Sequence, residues 1–473
     1  MDDLIKLTAR QAVDLLKKRQ VSPLELIEAA AGRIEAVDGR LNALPTLCLE
    51  RARERARRLM ADPPADPPPW YLHGLPMAIK DLEEVAGVRT TFGSPIFAEF
   101  VPDFSNICVE TLERNGALVV AKSNTPEFGA GANTFNEVFG PTLNPWDTAL
   151  TCGGSSGGSA VALASGQVWL ATGSDLGGSL RIPGSFCSVV GFRPSPGRVP
   201  FGPDPTPWQS LAVVGPMGRT VGDAALMLDA QVGQVPGDPR SLPRPEKSFL
   251  EAVDRPAGFG RVAFSPDLGL APVKAEIKEI CGRAARDFGQ FGASVEEACP
   301  DLHDADYIFQ TLRAAWYGLR MAPLLEAHRD LIKPEVVWNI EKGLKLNGRE
   351  IIEAEKARAL LYRRTVEFFR TYDLLLCPAV VTPPFDVTIR YLTELDGVAF
   401  ETYLGWLVMT WAITLTACPA ISVPCGFTGS GLPVGLQIVG PPWGEARVLS
   451  AAAQLEELNG LTGLTPIDPR PAA

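Results

Sequence analysis

Apolar positions follow two rhythms along this chain, and the change from one to the other divides it. Near the start they recur every three or four residues. Leu24, Ile27, Ala31, Ile34 and Val37 fall on one face of a helix over residues 22–37. Ser22, Pro23 and Glu25 supply a capping box with proline at the first helical position. Thr8 to Gln11 forms a second capping box and predicts an earlier helix. Residues 50–60 are rich in Arg and Glu and predict a solvated helix, ended by the prolines between Pro63 and Pro69. Residues 1–60 are therefore expected to form an N-terminal helical layer.

After this the apolar residues gather into short runs. Leu72 to Asp81 is one such segment and carries Lys80 near its end. Strand-like runs follow at Ala117–Ala121, Val168–Thr172, Arg261–Phe264, Leu374–Cys377, Ile421–Pro424 and Leu436–Val439, with helical stretches between them. Such alternation predicts an α/β fold, a sheet covered by helices. Residues 195–245 are rich in Pro and Gly and read as a loop excursion over the sheet. Residues 274–370 read as mostly helical. Ala446–Leu458, followed by Asn459-Gly460, reads as a closing helix.

Composition narrows the class. At 473 residues and 46% hydrophobic, the chain can bury a large core. With 44 basic and 55 acidic residues its net charge is −11, which argues against general binding of nucleic acid. Nine cysteines without a C-x-x-C pair give neither a zinc pattern nor a disulfide framework, so a reducing cytoplasmic setting is expected. The start, M-D-D-L-I-K-L-T-A-R, does not read as a signal peptide, and no apolar run reaches membrane-spanning length.

The stretch richest in candidate chemistry is Cys152 to Arg181. It holds two glycine-serine turns, Gly153–Ser159 and Gly177–Ser179, separated by a segment of small apolar residues. A flexible linker would not need Val161, Leu163, Val168, Trp169 and Leu170 between its glycines. Glycine pairs let a backbone approach another group closely, and serines beside them are candidate nucleophiles. A serine nucleophile needs a base and an oxyanion site. Of the three histidines, His73, His303 and His328, none lies in a catalytic pattern. Lys80, at the end of an apolar run, is the alternative base, because desolvation makes the neutral amine available near neutral pH. Backbone N–H groups of Gly177 to Ser179, at the start of a helix from Leu180, are candidates for holding the oxyanion.

Three blocks in order, G-L-P-M-A-I-K-D (74–81), G-G-S-S-G-G-S (153–159) and G-S-D-L-G-G-S-L-R-I-P (173–183), resemble the signature of the amidase signature family. K-S-N-T-P-E-F (122–128), G-P-T-L-N-P-W-D (140–147), C-S-V-V-G-F-R-P (187–194) and C-P-A-I-S-V-P near the C-terminus extend the resemblance over about 70–440, weakly between about 235 and 370. The resemblance implies an α/β/α fold with a central mixed twisted sheet covered by helices on both faces. It divides the chain into the helical layer, 1–60, and an amidase signature domain, 61–473, whose region 235–370 shapes substrate choice. It also implies a Ser-cisSer-Lys triad: Ser179 as the acylated nucleophile, Ser155 as bridging serine after a cis peptide, Lys80 as base and then acid. The implied oxyanion hole is formed by the backbone amides of Leu176, Gly177, Gly178 and Ser179, with Asp175 and Arg181 supporting the loop. Ser156 and Ser159 read as turn and helix-start residues.

The chain departs from the family pattern at Arg193-Pro194-Ser195 and at Thr414 to Pro419; the second change bears on the substrate pocket. The expected activity is hydrolysis of aryl or alkyl amides and anilides, extending to carbamates (urethanes) and esters. No cofactor or metal, no nucleic acid and no membrane partner is expected, and a homodimer is compatible with the reading. Aromatic residues at Trp208, Tyr307–Phe309, Trp316-Tyr317, Trp338 and Tyr403–Trp411 are candidate pocket walls. One rival is a glutaminase subunit of a tRNA-dependent amidotransferase, whose N-L-x-R-Y-D-G-x-R-Y-G block is missing. Another is an α/β-hydrolase elbow at Gly153–Gly157, which would need a strand directly before Ser155. A third is a non-catalytic protein on the same scaffold.

Overall fold

The computed structural model describes residues 2–471; residue 1 and residues 472–473 lie outside it. Eleven strands form one mixed sheet. In chain order they are β1 (Thr46–Leu47), β2 (Pro76–Lys80), β3 (Leu118–Ser123), β4 (Leu170–Asp175), β5 (Val190–Arg193), β6 (Val213–Gly218), β7 (Arg261–Phe264), β8 (Ser294–Glu297), β9 (Leu374–Pro378), β10 (Ala420–Phe427) and β11 (Pro433–Val439). Across the sheet the order is β1-β3-β2-β4-β6-β5-β10-β11-β9-β7-β8. Parallel pairs lie towards the two ends, β3-β2-β4 and β9-β7-β8, and antiparallel pairs fill the middle. Helices flank this sheet, so the chain has the α/β fold that its rhythm predicts.

Successive side chains of a strand point to opposite faces, and here each face meets its own core. On β2, Met77 and Ile79 join one apolar cluster, while Ala78 joins another with Val161, Leu163 and Cys152. Buried on both sides, these strands carry near-continuous apolar runs rather than alternating ones. The helices Ala9–Lys17 and Pro23–Val37 begin at Thr8 and Ser22 with both halves of each capping box formed. The first sixty residues also add β1 to the sheet edge, where Thr46 pairs with Lys122. Among the described residues no helix is long and apolar enough to cross a membrane.

One reading from pattern needs correction. Residues 195–245 are more than a loop: they contain β6, at the middle of the sheet between β4 and β5, and the helix Val221–Gln231, every residue of which is buried. Gly215, Pro216 and Gly218 hide the strand. A Cβ on Gly215 would stand 2.2 Å from the Phe192 carbonyl oxygen, so close packing of β5 on β6 requires that glycine. The stretch 274–370 is mostly helical, as expected, with loops at 298–304 and 346–347 and one edge strand, β8.

Candidate active site

Lys80 is the last residue of β2, and its whole side chain lies inside the protein. The strand enters a parallel ladder between β3 and β4, so its end points at the turns that follow β4. The Lys80 Nζ donates to Ser155 Oγ at 2.7 Å, Ser156 Oγ at 2.8 Å and Ser174 Oγ at 3.0 Å. Three hydroxyls thus surround the amine: an ammonium donates to all three, a neutral amine donates to two and accepts from the third, and no carboxylate lies within ion-pair distance among the described residues. Burial pushes the Lys80 ammonium down to about 7, against the opposing pull of Glu83 and Asp175. Asp81, its neighbour in sequence, pairs with Lys122 at 2.9 Å instead.

The first glycine-serine turn places Ser155 and Ser156 against this amine. The Gly154–Ser155 peptide is cis. The helix Gly157–Ala164 leaves the turn immediately, and it needs a glycine at 158: a Cβ there would stand 2.3 Å from Asn124 N and 2.6 Å from Ala43 O. Ser156 is therefore more than a turn residue, since Lys80 donates to it. Ser159 Oγ donates to the Thr172 carbonyl at 2.8 Å and belongs to the helix start. The strand Asp147–Thr151 before the turn belongs to a separate two-stranded ribbon with Leu143–Asn144. The pairing that an α/β-hydrolase elbow requires, a sheet strand running straight into the serine, is not made.

The second turn follows β4. Asp175 ends that strand and organises what comes after it. Its Oδ1 accepts the Gly178 N–H at 3.0 Å and its Oδ2 the Leu180 N–H at 3.2 Å. Arg181 Nε and Nη2 bind the two carboxylate oxygens at 2.9 and 2.7 Å, and Arg193 Nη1 approaches Oδ1 at 3.3 Å. Arg181 also reaches Gln437 Oε1 at 2.6 Å and the Thr410 carbonyl at 2.9 Å, tying the turn to β11 and the helix Val408–Leu415. Burial works against ionising Asp175, yet the two guanidiniums hold its carboxyl well below the usual range. The Gly178 N–H, one of four amides expected to face an oxyanion, is thereby occupied. Those of Leu176, Gly177 and Ser179 donate to no acceptor among the described residues. Gly178 has φ +117°, and a Cβ on it would lie 2.1 Å from Thr410 Oγ1, so only glycine fits. The helix Arg181–Cys187 starts directly beyond Leu180.

Ser155, Ser174, Leu176, Gly177 and Ser179 line one small chamber of about 90 Å³, closed by Phe309, Arg313, Trp316 and Leu407. Leu82, Phe128, Trp316 and Tyr317 border both it and a larger cavity of about 260 Å³, walled by Phe92, Phe97, Phe201, Met321 and Leu324. Of the aromatic residues expected to shape a pocket, Phe309, Trp316 and Tyr317 do so. Phe309 stacks on Trp411 at 4.8 Å. Trp208 is exposed, Trp338 packs edge-on against Tyr403 at the surface, and Trp406 is buried behind Phe385. The phenylalanines at 92, 97, 128 and 201 give no separate signal in the sequence. His303 and His328 are exposed, and His73 packs on Tyr71; none lines either space. Among the described residues no cluster of three or more His, Cys, Asp or Glu is arranged to hold a metal.

Thr172 and Glu83 also belong to the site, although no motif marks them in the sequence, and so does Ser174, which stands within the third block without a role of its own there. Thr172 Oγ1 accepts the Lys80 backbone N–H at 2.9 Å and donates to Glu83 Oε2 at 2.6 Å. These contacts join residues about ninety positions apart, so no local pattern could reveal them.

Known proteins resemble this chain along nearly its whole length. The model of the amidase family matches residues 25–449. An acylamidase of Rhodococcus erythropolis is 34% identical over 98% of this chain and 97% of its own length. A glutamyl-tRNA(Gln) amidotransferase subunit of Moorella thermoacetica is 35% identical over 96% of this chain and 97% of its own. The crystal structure of a bacterial aryl acylamidase of the amidase signature enzymes superposes with a TM-score of 0.89 at 28% identity, covering 98% and 97% of the two chains.

Proposed function

The chain belongs to the amidase family, a hydrolase acting on amide C–N bonds, and from that premise we propose that it is a free-standing amidase for aryl and alkyl amides and anilides, active also on carbamates and esters. The observation that carries this reading is the single chamber in which Ser179 and Ser155 sit beside free backbone amides, with a buried, unpaired lysine bonded to Ser155.

Ser179 Oγ adds to the substrate carbonyl carbon while its proton passes through Ser155 to the neutral Lys80 amine. The carbonyl oxygen becomes an oxyanion held by the N–H groups of Leu176, Gly177 and Ser179, which are fixed before the reaction and need no reorganisation. Collapse breaks the C–N bond, and Lys80 returns the proton through Ser155 to the departing amine. Water then repeats the sequence on the acyl-enzyme. Asp175 and Arg181 act by holding the turn. The aromatic walls next to Ser179, namely Phe128, Phe309, Trp316 and Tyr317, suit an aryl or alkyl group. The helix segment Ala314 to Arg320 builds those walls through Trp316 and Tyr317.

Turnover of a 4-nitroanilide, an aryl carbamate, a primary aliphatic amide and glutamine by wild type and Ser179→Ala tests the proposal. Anilide and carbamate cleavage lost in the variant is the expected result. Activity on glutamine alone, or only after a partner is supplied, would transfer the chain to the amidotransferase class.

A further inference from the structure

The charges buried around the three serines pair off in an uneven way. Asp81 is matched by Lys122, and Asp175 by Arg181 and Arg193. Lys80 and Glu83 are left over. Glu83 is buried, its Oε2 accepts from Thr172, and its Oε1 has no partner among the described residues. Lys122 reaches only the Glu83 backbone carbonyl, at 2.7 Å, and spends its remaining donors on Asp81 and Thr90. A buried carboxyl with a free oxygen is costly unless a charge nearby compensates it.

Geometry supplies that charge. Glu83 lies one turn beyond Lys80, its N–H donating to the Lys80 carbonyl at 3.0 Å, and the Thr172 hydroxyl bridges the Lys80 main chain to the Glu83 carboxyl. Glu83 also borders the larger cavity beside Ser174, which accepts from Lys80 Nζ. With Lys80 neutral and Glu83 ionised, the cations Lys122, Arg181 and Arg193 balance the anions Asp81, Asp175 and Glu83.

We propose that Glu83 is the counter-charge of Lys80, a positioning residue that compensates the ammonium formed when Ser179 adds to the carbonyl and that sets the pH at which Lys80 becomes a base. This rests on the Ser179 mechanism proposed above. Burial pushes the Glu83 carboxyl up to about 7 and the Lys80 ammonium down to about 7, and each group opposes that effect on the other: Glu83 draws the Lys80 value up, and Lys80 draws the Glu83 value down. The other ionisable groups facing Glu83 are accounted for. Lys122 and Asp175 are paired as described, Glu84 lies next in the chain, and burial keeps the Cys108 thiol neutral.

The test is Glu83→Gln, which keeps an oxygen for Thr172 and removes the charge, with Glu83→Asp as the charge-retaining control. The readout is kcat/KM from pH 5 to 10 on a 4-nitroanilide and on a 4-nitrophenyl ester. Removing a nearby negative charge makes Lys80 easier to deprotonate, so the acid limb moves to lower pH by about one unit or more, while the plateau falls by about tenfold or more. Glu83→Asp restores the limb towards the wild-type position. A folded Glu83→Gln with the wild-type limb overturns the proposal, because a purely structural carboxyl would lower activity without moving it. If Glu83→Gln fails to fold, the double variant Lys80→Met/Glu83→Gln decides: it folds if the two charges compensate each other, and its failure to fold overturns the pairing. Loss of the mechanism itself reads differently, as turnover surviving in Ser179→Ala.

Discussion

Replacing Lys80 by methionine should stabilise the fold near neutral pH while abolishing turnover, and the pH dependence of that gain measures the state of the lysine. Methionine keeps the length and apolar stem of the side chain and removes only the amine. In the unfolded chain a lysine titrates near 10.4, whereas burial lowers the folded value to about 7. The folded value is depressed for a base, so between these limits the unfolded state binds more protons and wild-type stability rises with pH. At pH 7 folding must strip a proton that is about three units easier to keep in water, a penalty on the order of 4 kcal/mol. By pH 10 less than about 1 kcal/mol of it remains. The variant escapes this penalty but leaves Ser155, Ser156 and Ser174 without their donor, at a cost of about 1–3 kcal/mol in all. The net gain at pH 7 is therefore about 1–3 kcal/mol, and it should vanish or reverse by pH 10. Serine hydroxyls do not titrate in this range, so the slope is independent of what their lost bonds cost. Loss of the lysine also leaves Glu83 uncompensated as it ionises, which steepens the slope in the same direction. Urea unfolding of wild type and Lys80→Met at pH 7, 8.5 and 10 checks this. A stability difference that stays constant across the range would mean that Lys80 keeps its proton in the fold, and the lysine-base mechanism would fail with it.

Other perturbations separate the parts of the site. Gly178→Ala places a methyl group on Thr410 at a φ of +117° and should lower kcat about a hundredfold or more, with near-native circular dichroism, by disturbing the amides on either side. Asp175→Asn leaves Arg181 and Arg193 buried with only an amide between them and should destabilise the fold by about 3–5 kcal/mol, read as a fall in unfolding midpoint. Trp316→Ala opens the partition shared by both cavities; kcat/KM for an anilide should fall about tenfold relative to that for acetamide, because the small substrate leaves that wall unused. Equal losses on both substrates would mean that Trp316 supports the fold and does not select.

What could be read from the sequence follows from which interactions are local. Strands β3, β4, β7, β9, β10 and β11 announce themselves because burial on both faces demands unbroken apolar runs. The capping boxes at Thr8 and Ser22 are legible because donor and acceptor lie three residues apart. The helix Val221–Gln231 fails that test for the opposite reason. Every face of it is buried, so no polar stripe marks its period, and the prolines and glycines around β6 suggest a loop. The glycine-serine turns and the apolar run ending at Lys80 mark candidate nucleophiles and a candidate base from the residues themselves, but only the resemblance assigns Ser179, Ser155 and Lys80 their separate roles.

The residues to which no motif gives a role share one property: each acts through a partner distant in the chain. Ser174 reaches the lysine across ninety-four positions and Thr172 across ninety-two, because parallel strands bring their ends together only after a long crossover. A serine-lysine pair in water would be inert, with the amine protonated and the hydroxyl solvated. What the sheet adds is the removal of water from the end of β2 together with enough hydroxyls to satisfy an uncharged amine. The same desolvation makes any unmatched carboxylate nearby energetically significant. Asp81 and Asp175 are matched by buried cations, whereas Glu83, of the buried acids around Lys80 among the described residues, has no cationic partner, which is why its charge is proposed to follow the proton on Lys80.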